Sequence, residues 1–289
     1  MSISAASVPP SASPGRRSLL LTNGAIQALL LVNAFVMIYP LVVMVLSSFK
    51  TNAEIFTSPF APPASFSPAN VEKVLTDTNF VRYLANSVGV TAASILLILV
   101  FSTMAAYAIA RYEFRFNSLI LMFFLSGMTV PLKLAIIPLF IQLDTLHLID
   151  TYAGLVLVYV AMGIPSAIFI MTGFLRSLPR ELEESARIDG ASEWKVMTAI
   201  MLPLARPALV IVAIQNAVPI WNDFFFPLIL INSDDHKTLP QGLTVFMGEF
   251  TTNWGVLFTG LSLAALPITL LYLVLSRQFI AGITQGAVK

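Results

Sequence analysis

Long stretches without a charged side chain are the feature that most restricts how this chain can fold. Four stretches contain no Asp, Glu, Lys or Arg, and two more contain a single charge each, Lys133 and Asp223. A helix needs roughly 20 apolar residues to cross the hydrocarbon core of a bilayer. The apolar runs are continuous rather than alternating, which favours helices over a β-barrel. The sequence therefore predicts an all-α integral membrane protein with six transmembrane helices, within residues 18–49 (densest at 27–46), 84–110, 117–140, 151–175, 207–231 and 250–276.

The composition excludes several classes of protein. Charged residues make up 11% of the chain and hydrophobic residues 57%, whereas a soluble domain usually carries about 25% charged residues. Such a surface would aggregate in water, so a soluble enzyme, a nucleic-acid-binding protein and a disordered chain are excluded. The chain has no cysteine, and its two histidines, His147 and His236, are too few for a histidine metal site. We therefore expect neither disulfides nor a metal site.

The distribution of Lys and Arg predicts the orientation in the membrane. With six spans, both termini lie on one side, and the basic residues divide unequally between the two sides. Because cytoplasmic loops carry the excess of Lys and Arg, the sequence predicts that both termini are cytoplasmic. The richer side has Arg16, Arg17, Arg111, Arg115, Arg176, Arg180, Arg187, Lys195, Arg206, Arg277 and Lys289, and the poorer side has Lys50, Lys73, Arg82 and Lys237.

One polar segment, residues 176–206, stands out on the cytoplasmic side. It contains ten of the 31 charged residues, five of each sign. Acidic residues lead its first part, as is favourable at a helix start, and Gly190 can interrupt that helix. Trp194, Met197 and Ile200 then follow at the spacing of a short amphipathic helix. We therefore predict a helix–Gly–helix element that docks a soluble partner.

The spacing within this segment resembles the EAA loop of ABC importer permeases. The family pattern is Glu-Ala-Ala, three residues, Gly, nine residues, then Ile-any-Leu-Pro, and Ser185 is the single departure from it. The run Ile188-Asp189-Gly190-Ala191 resembles the variant found in carbohydrate permeases of the maltose type. The residues that the resemblance assigns to ATPase coupling are Glu184, Ser185, Ala186, Asp189, Gly190, Ile200, Leu202 and Pro203.

The resemblance extends over nearly the whole chain. Asn86-Ser87, Trp221-Asn222-Asp223-Phe224 and Thr238-Leu239-Pro240 each look like elements of the same family. The C-terminal residues are similar to the end of the maltose-type second permease subunit, where the tail reaches between the ATPase subunits. The tail residues assigned to ATPase contact on this basis are Gly282, Thr284 and Gly286.

This resemblance implies a type I ABC importer permease fold, and it implies that separate subunits carry out transport and ATP hydrolysis. The chain has no GxxxxGK[ST] sequence, so we expect no cofactor in this chain, and ATP and Mg²⁺ bound by a partner ATPase dimer. The other implied partners are a second permease subunit, forming a heterodimer, and an extracytoplasmic solute-binding protein. The subunit itself is then not an enzyme, and its location is the bacterial cytoplasmic (inner) membrane.

Three regions follow from these expectations. Residues 1–23 are predicted to be a disordered cytoplasmic segment, because residues 1–14 are rich in Ser, Ala and Pro. Residues 24–279 form the six-helix permease domain, which includes the coupling loop 176–206. Residues 280–289 form the cytoplasmic tail.

The residues of the substrate path are less determined. Trp221, Asn222 and Asp223 combine an aromatic face with hydroxyl-binding groups, as sugar sites do, but the two polar residues could equally lock helices together. Lys133 and Asp223 each lie sixteen residues from the predicted cytoplasmic start of a span (133 − 117 and 223 − 207), about 24 Å along a continuous helix. They could form an ion pair, Lys133 could extend to the outer headgroups, or Lys133 could contact an anionic sugar directly.

Two other classes of protein remain alternatives at this point. An ion-coupled secondary transporter would need several carboxylates within the membrane, and only Asp223 qualifies. An integral membrane enzyme would need a nucleophile–base or paired-carboxylate arrangement, which the sequence does not present. The sequence specifies a sugar or sugar-like solute through the resemblance, but not which one.

Overall fold

The computed structural model describes the backbone of residues 16–247 and 252–287, and the side-chain surroundings of residues 26–247 and 252–274. Helix α1 begins at Arg16, inside the segment for which disorder was predicted, and residues 1–15 lie outside the described residues. The predicted tail contacts Gly282, Thr284 and Gly286 lie beyond the described side chains.

The described residues fold into helices of very unequal length. Residues 196–201 form a π-helical turn, and Met247 and Thr252 form an isolated antiparallel bridge. In chain order the α-helices are α1 (Arg16–Ser47), α2 (Asn52–Thr57), α3 (Ala69–Thr76), α4 (Phe80–Arg111), α5 (Asn117–Gly127), α6 (Ile136–Thr145), α7 (Tyr152–Ser177), α8 (Glu181–Ile188), α9 (Glu193–Lys195), α10 (Leu202–Leu204), α11 (Arg206–Trp221), α12 (Phe225–Leu230), α13 (Leu239–Gly242) and α14 (Trp254–Ala287).

Four helices among the described residues are long and apolar enough to cross a membrane. They are α1, α4, α7 and α14, with apolar spans at Ile26–Ser47, Phe80–Arg111, Tyr152–Ser177 and Trp254–Val274. These match the first, second, fourth and sixth predicted spans. A fifth span is possible by length and composition if α11 is joined to the helical segment Glu193–Leu204, which it meets at 73°.

The third predicted span is not one continuous helix. Helix α5 ends at Gly127, residues 128–135 form turns, and α6 begins at Ile136. Pro131 lies in the break, and proline has no N–H to donate to a helical carbonyl. Lys133 is therefore on an exposed turn between two short helices, and the continuous helix from which its depth was estimated is interrupted before it.

The fifth predicted span is also broken. Helix α11 ends at Trp221, and α12 begins only at Phe225. The side chain of Asn222 donates to the carbonyl of Val218, and the Oδ2 atom of Asp223 accepts from the backbone N–H of Phe226. The N–H of Phe226 has no helical acceptor at the start of α12, so Asp223 stabilises the break there, whereas the Val218 carbonyl also accepts from the backbone N–H of Asn222. Asp223 is therefore in the connection between α11 and α12, two residues beyond the end of α11.

Helices α4 and α7 form the centre of the fold, with α11 beside them. Ser102, Ala106 and Ala167 are fully buried where α4 and α7 pack. Small side chains let helix backbones approach closely, which is how membrane helices gain van der Waals contact. At Gly163 of α7, even a Cβ atom would collide with Ile98 of α4 and would lie 2.5 Å from the Oδ1 atom of Asn216 in α11. Three helices therefore meet at this glycine.

Candidate functional site

The polar segment 176–206 forms the two helical pieces that the sequence predicted. Helix α8 carries three acidic residues in its first turn, where the positive end of the helix dipole stabilises their negative charges. Gly190 has φ +79°, in the left-handed region that side chains disfavour. The hydroxyl of Ser192 then accepts from the N–H of Lys195 and caps the next helix. The glycine therefore sets the angle between the two pieces.

The inner face of α8 carries a charge that the sequence did not single out. Glu183 is 3% exposed, and its Oε1 lies 2.6 Å from the Nε atom of Arg111, whose side chain is 2% exposed. The two atoms lack the alignment of a hydrogen bond, so the contact is a close ion pair. The second carboxylate oxygen accepts from Arg187, one turn later, at 3.2 Å. Glu183 is thus anchored from two sides.

A second carboxylate extends this network to the start of α9. Glu193 accepts hydrogen bonds of 2.7 Å from Arg187 and from the hydroxyl of Tyr112. These bonds, that from Arg187 first, lower the pKa of Glu193 to about 2. Tyr112 shows the reciprocal effect, because its bond to Glu193 raises the pKa of its hydroxyl. The loop therefore carries a network of fixed charges at its base.

The outer face of the same element is exposed. Glu184, Ser185, Asp189, Gly190 and Pro203 all reach the surface, whereas Ala186 is buried, and Ile200 and Leu202 are half-buried. Ile188 and Trp194 are 86% and 63% exposed although they are large and apolar. The eight predicted coupling residues thus divide into an outward group and an inward group. A polar loop with exposed apolar residues is typical of a surface that binds a protein partner.

A polar cavity lies between α7, α11 and the break in the third predicted span. Its volume is about 450 Å³, and its lining includes the amides and hydroxyls of Tyr159, Ser166, Gln215, Asn216 and Asn222, together with Lys133 and Asp223. Amide and hydroxyl groups both donate and accept hydrogen bonds. The cavity can therefore bind a solute that carries many hydroxyl groups.

Trp221 does not belong to this cavity. It is 6% exposed, and its indole N–H donates to the carbonyl of Ala264 in α14 at 3.2 Å. It lines a separate, mostly apolar cavity of about 530 Å³ that also contacts Asn222. The predicted set of Trp221, Asn222 and Asp223 is therefore divided, with the tryptophan packed between two helices.

Lys133 and Asp223 share the polar cavity without forming an ion pair. No ion pair within 4.0 Å joins them among the contacts of the described residues. Asp223 instead accepts from the hydroxyl of Tyr159 at 2.9 Å. The Lys133 ammonium lies 5.5 Å from the centre of the Phe225 ring, a cation–π distance. Of the three arrangements that the sequence left open for Lys133, the ion pair with Asp223 is therefore not the one in the structure.

Several residues of these sites were not identified from the sequence. Glu183 lies three residues before the buried Ala186, and this helical spacing could have indicated that both face inward. Tyr159, Gln215 and Asn216 are polar groups inside predicted spans, which is a signal for a lined cavity. Arg111 gave no such signal. Basic residues are common at the cytoplasmic ends of membrane helices, so its position alone does not indicate a buried ion pair.

Comparison with known proteins gives consistent results. The family described as binding-protein-dependent transport system inner membrane component matches residues 98–285. The diacetylchitobiose uptake system permease protein NgcG of Streptomyces coelicolor is 37% identical over 264 residues, covering 91% of this chain and 87% of that protein. The arabinooligosaccharides transport system permease protein AraQ of Halalkalibacterium halodurans is 32% identical, covering 89% and 92% of the two chains.

A solved structure shows the same fold. A chain in the crystal structure of a bacterial ABC transporter involved in the import of the acidic polysaccharide alginate aligns with a TM-score of 0.82 at 21% identity. The alignment covers 93% of this chain and 100% of the other. The chain therefore belongs to the family of binding-protein-dependent transport system inner membrane components, and it is a permease subunit of an ABC importer.

Proposed function

We propose that this chain forms half of the translocation path of an ATP-driven importer for a sugar or oligosaccharide. The related permeases that match it over most of their length are named for uptake of diacetylchitobiose and arabinooligosaccharides. The family assignment replaces the two alternatives of an ion-coupled transporter and a membrane enzyme. The particular solute is selected by an extracytoplasmic binding protein, which docks on the outer face of the complex.

The proposed arrangement has six spans with both termini in the bacterial cytoplasm. Four continuous helices supply four of them. The two short apolar helices α5 and α6 supply the third, and α11 with α12 supplies the fifth, each crossing in two pieces. Broken helices are tolerated in membranes where the freed backbone faces protein or a water-filled cavity. The two breaks lie beside the polar cavity, which supports this arrangement.

The coupling loop is proposed to dock the ATPase. The observation that carries this proposal is the division of α8 into a buried, ion-paired face with Glu183 and an exposed face with Glu184. A fixed inner face holds the outer carboxylate at a set position, so that a cationic group of the ATPase can pair with it. ATP and Mg²⁺ bind to the ATPase dimer, and no cofactor is needed in this chain. Closure of that dimer moves the loops and alternates access to the path.

The polar cavity is proposed as the part of the path that this subunit contributes. Its amides and hydroxyls replace the water that a sugar loses on leaving the solvent. Asp223 has its position set by Tyr159 and the α12 backbone, so it acts as a fixed acceptor for solute hydroxyls. Lys133 is held by an aromatic face rather than by a carboxylate, so its ammonium is available to donate. A second permease subunit closes the open side of the path.

A charge reversal tests the coupling proposal. In the complex reconstituted with the partner permease, the ATPase and the binding protein, Glu184→Lys should reduce ATPase stimulation by loaded binding protein at least tenfold. Like charges facing each other across an interface repel by several kcal/mol, roughly enough for this loss. Glu113→Lys is the control, because Glu113 is an exposed carboxylate in the connection after α4, outside α8. Full stimulation in the Glu184→Lys complex would refute docking through this face.

A further inference from the structure

We infer that Arg111 and Glu183 are positioning residues that carry movement of the coupling loop to the transmembrane helices α4 and α7. The inference rests on the proposed function, in which residues 176–206 dock the ATPase. The observation behind it is the Arg111–Glu183 ion pair at the base of a surface loop, whose two side chains are only 2% and 3% exposed. Burying two charges is unfavourable unless their mutual attraction offsets the lost hydration, so a neutral contact could have held a passive loop as well.

The guanidinium of Arg111 joins three elements at one point. Arg111 is the last residue of α4. Its two terminal nitrogens both donate to the carbonyl of Leu178, the residue that follows α7, at 3.2 Å. Its Nε atom faces Glu183 in the first turns of α8. A planar guanidinium with five N–H donors can make all three contacts at once, which a lysine ammonium on a flexible stem cannot do in the same geometry.

The other side of Glu183 connects to the rest of the loop. Arg187 contacts Glu183 and Glu193, so the same network reaches the second helical piece beyond Gly190. Glu184, the next residue after Glu183, is exposed. A force applied to the outer face of α8 therefore passes through one residue into the ends of α4 and α7. The loop and these helix ends should move as one rigid body.

A second ion pair in the same region is exposed, and it can be compared with the buried Arg111–Glu183 pair. Arg180 and Glu113 also join the start of the loop to the chain after α4, at 3.3 Å. Their side chains are 61% and 84% exposed, and exposed pairs contribute little because water and salt screen them. This pair is therefore the matched control, since its loss changes charge in the same region without releasing the buried contact.

This chain has no cysteine, so spin labels can be placed in it without removing native thiols. Spin labels are placed at Leu96→Cys, about 22 Å along α4 from Arg111, and at Glu181→Cys on α8, both exposed positions. The full complex with the partner permease and ATPase is measured without nucleotide and with Mg-ATP and vanadate. In the native background the distance should change by less than about 2 Å, the scale of small helix shifts. Glu183→Gln should enlarge the change at least twofold, whereas Glu113→Gln should not.

The outcomes separate the inference from the proposed function. A Glu183→Gln complex that retains the ATPase and keeps the native distance change would overturn the inference alone, and so would an equal enlargement by Glu113→Gln. A native chain that fails to co-purify with the ATPase would refute the proposed function. Should Glu183→Gln fold poorly, the double variant Arg111→Gln with Glu183→Gln leaves no stranded charge. In the double variant too, the inference requires a distance change between the labels that is larger than in the native background. A change equal to that in the native background would overturn it.

Discussion

Adding one methyl group at Gly163 should loosen the centre of the helical bundle. A Cβ atom there would collide with Ile98 of α4 and lie 2.5 Å from the Oδ1 atom of Asn216 in α11. Asn216 is buried, and its amide donates to the carbonyl of Val212, so its side chain has little freedom to move. Gly173 lies on the same helix with nothing within 4 Å of its ideal Cβ position. The two glycines therefore form a matched pair.

The two substitutions should change the free energy of unfolding in opposite directions. Alanine is favoured over glycine inside a helix by about 1 kcal/mol, so Gly173→Ala should raise the free energy of unfolding by roughly that amount. At Gly163 the same gain is opposed by overpacking, typically about 1–3 kcal/mol. Displacing Asn216 removes a further ~1 kcal/mol of hydrogen bonding. Gly163→Ala should therefore lower the free energy of unfolding by about 1–3 kcal/mol, roughly 2–4 kcal/mol below Gly173→Ala.

Unfolding in mixed micelles, followed by helical circular dichroism, measures both variants under one condition. The comparison within one helix cancels the shared effects of detergent and of alanine propensity. If the two variants unfold within about 0.5 kcal/mol of each other, the range of an ordinary surface substitution, then α4, α7 and α11 do not meet at Gly163 as described.

Three further predictions concern charged and aromatic residues. Arg187 lowers the pKa of Glu193 from 4.5 to about 2. The stabilisation from Glu193 is therefore complete above pH 4.5 and is lost as the pH falls from there towards 2. The thermal unfolding temperature should fall over this pH range, and Glu193→Gln should remove that dependence. Lys133→Ala and Asp223→Ala should show a coupling energy below about 1 kcal/mol in a double-mutant cycle of unfolding, because the two charges line one cavity but form no ion pair; a larger coupling energy would contradict this. Trp221→Phe should lower stability by about 1 kcal/mol through the lost indole hydrogen bond while leaving the KM of uptake unchanged; a raised KM with native stability would instead indicate solute stacking.

The family and the division into spans and loops could be predicted from the sequence because they depend on local properties. The length of an uncharged stretch decides whether it can cross a bilayer, whatever its neighbours are. The helix–Gly–helix form of residues 176–206 was predicted from residue spacing, and the structure has the two helical pieces and the left-handed Gly190 between them. These features need no knowledge of which helices touch.

Continuity of the third and fifth spans could not be predicted in the same way. Both stretches are apolar enough for a continuous helix, yet one breaks after Gly127 and the other after Trp221. Hydropathy measures transfer into lipid, and it does not distinguish a helix facing lipid from a broken one whose backbone faces a cavity. The depth estimate for Lys133 assumed a continuous helix, which is interrupted between Gly127 and Ile136.

Tertiary structure alone decided which polar groups act together. Neighbours in the chain are separated, since Glu183 is buried against Arg111 while Glu184 faces outward, and Trp221 packs on α14 while Asp223 faces the polar cavity. Distant residues are joined, because helix packing brings the end of α4 to the start of α8. By itself the sequence determined that this chain lies in a membrane and has a polar helix–Gly–helix loop at residues 176–206, since apolar length and motif spacing are local. The ion-paired base of that loop exists only once the packed helices exclude water from it.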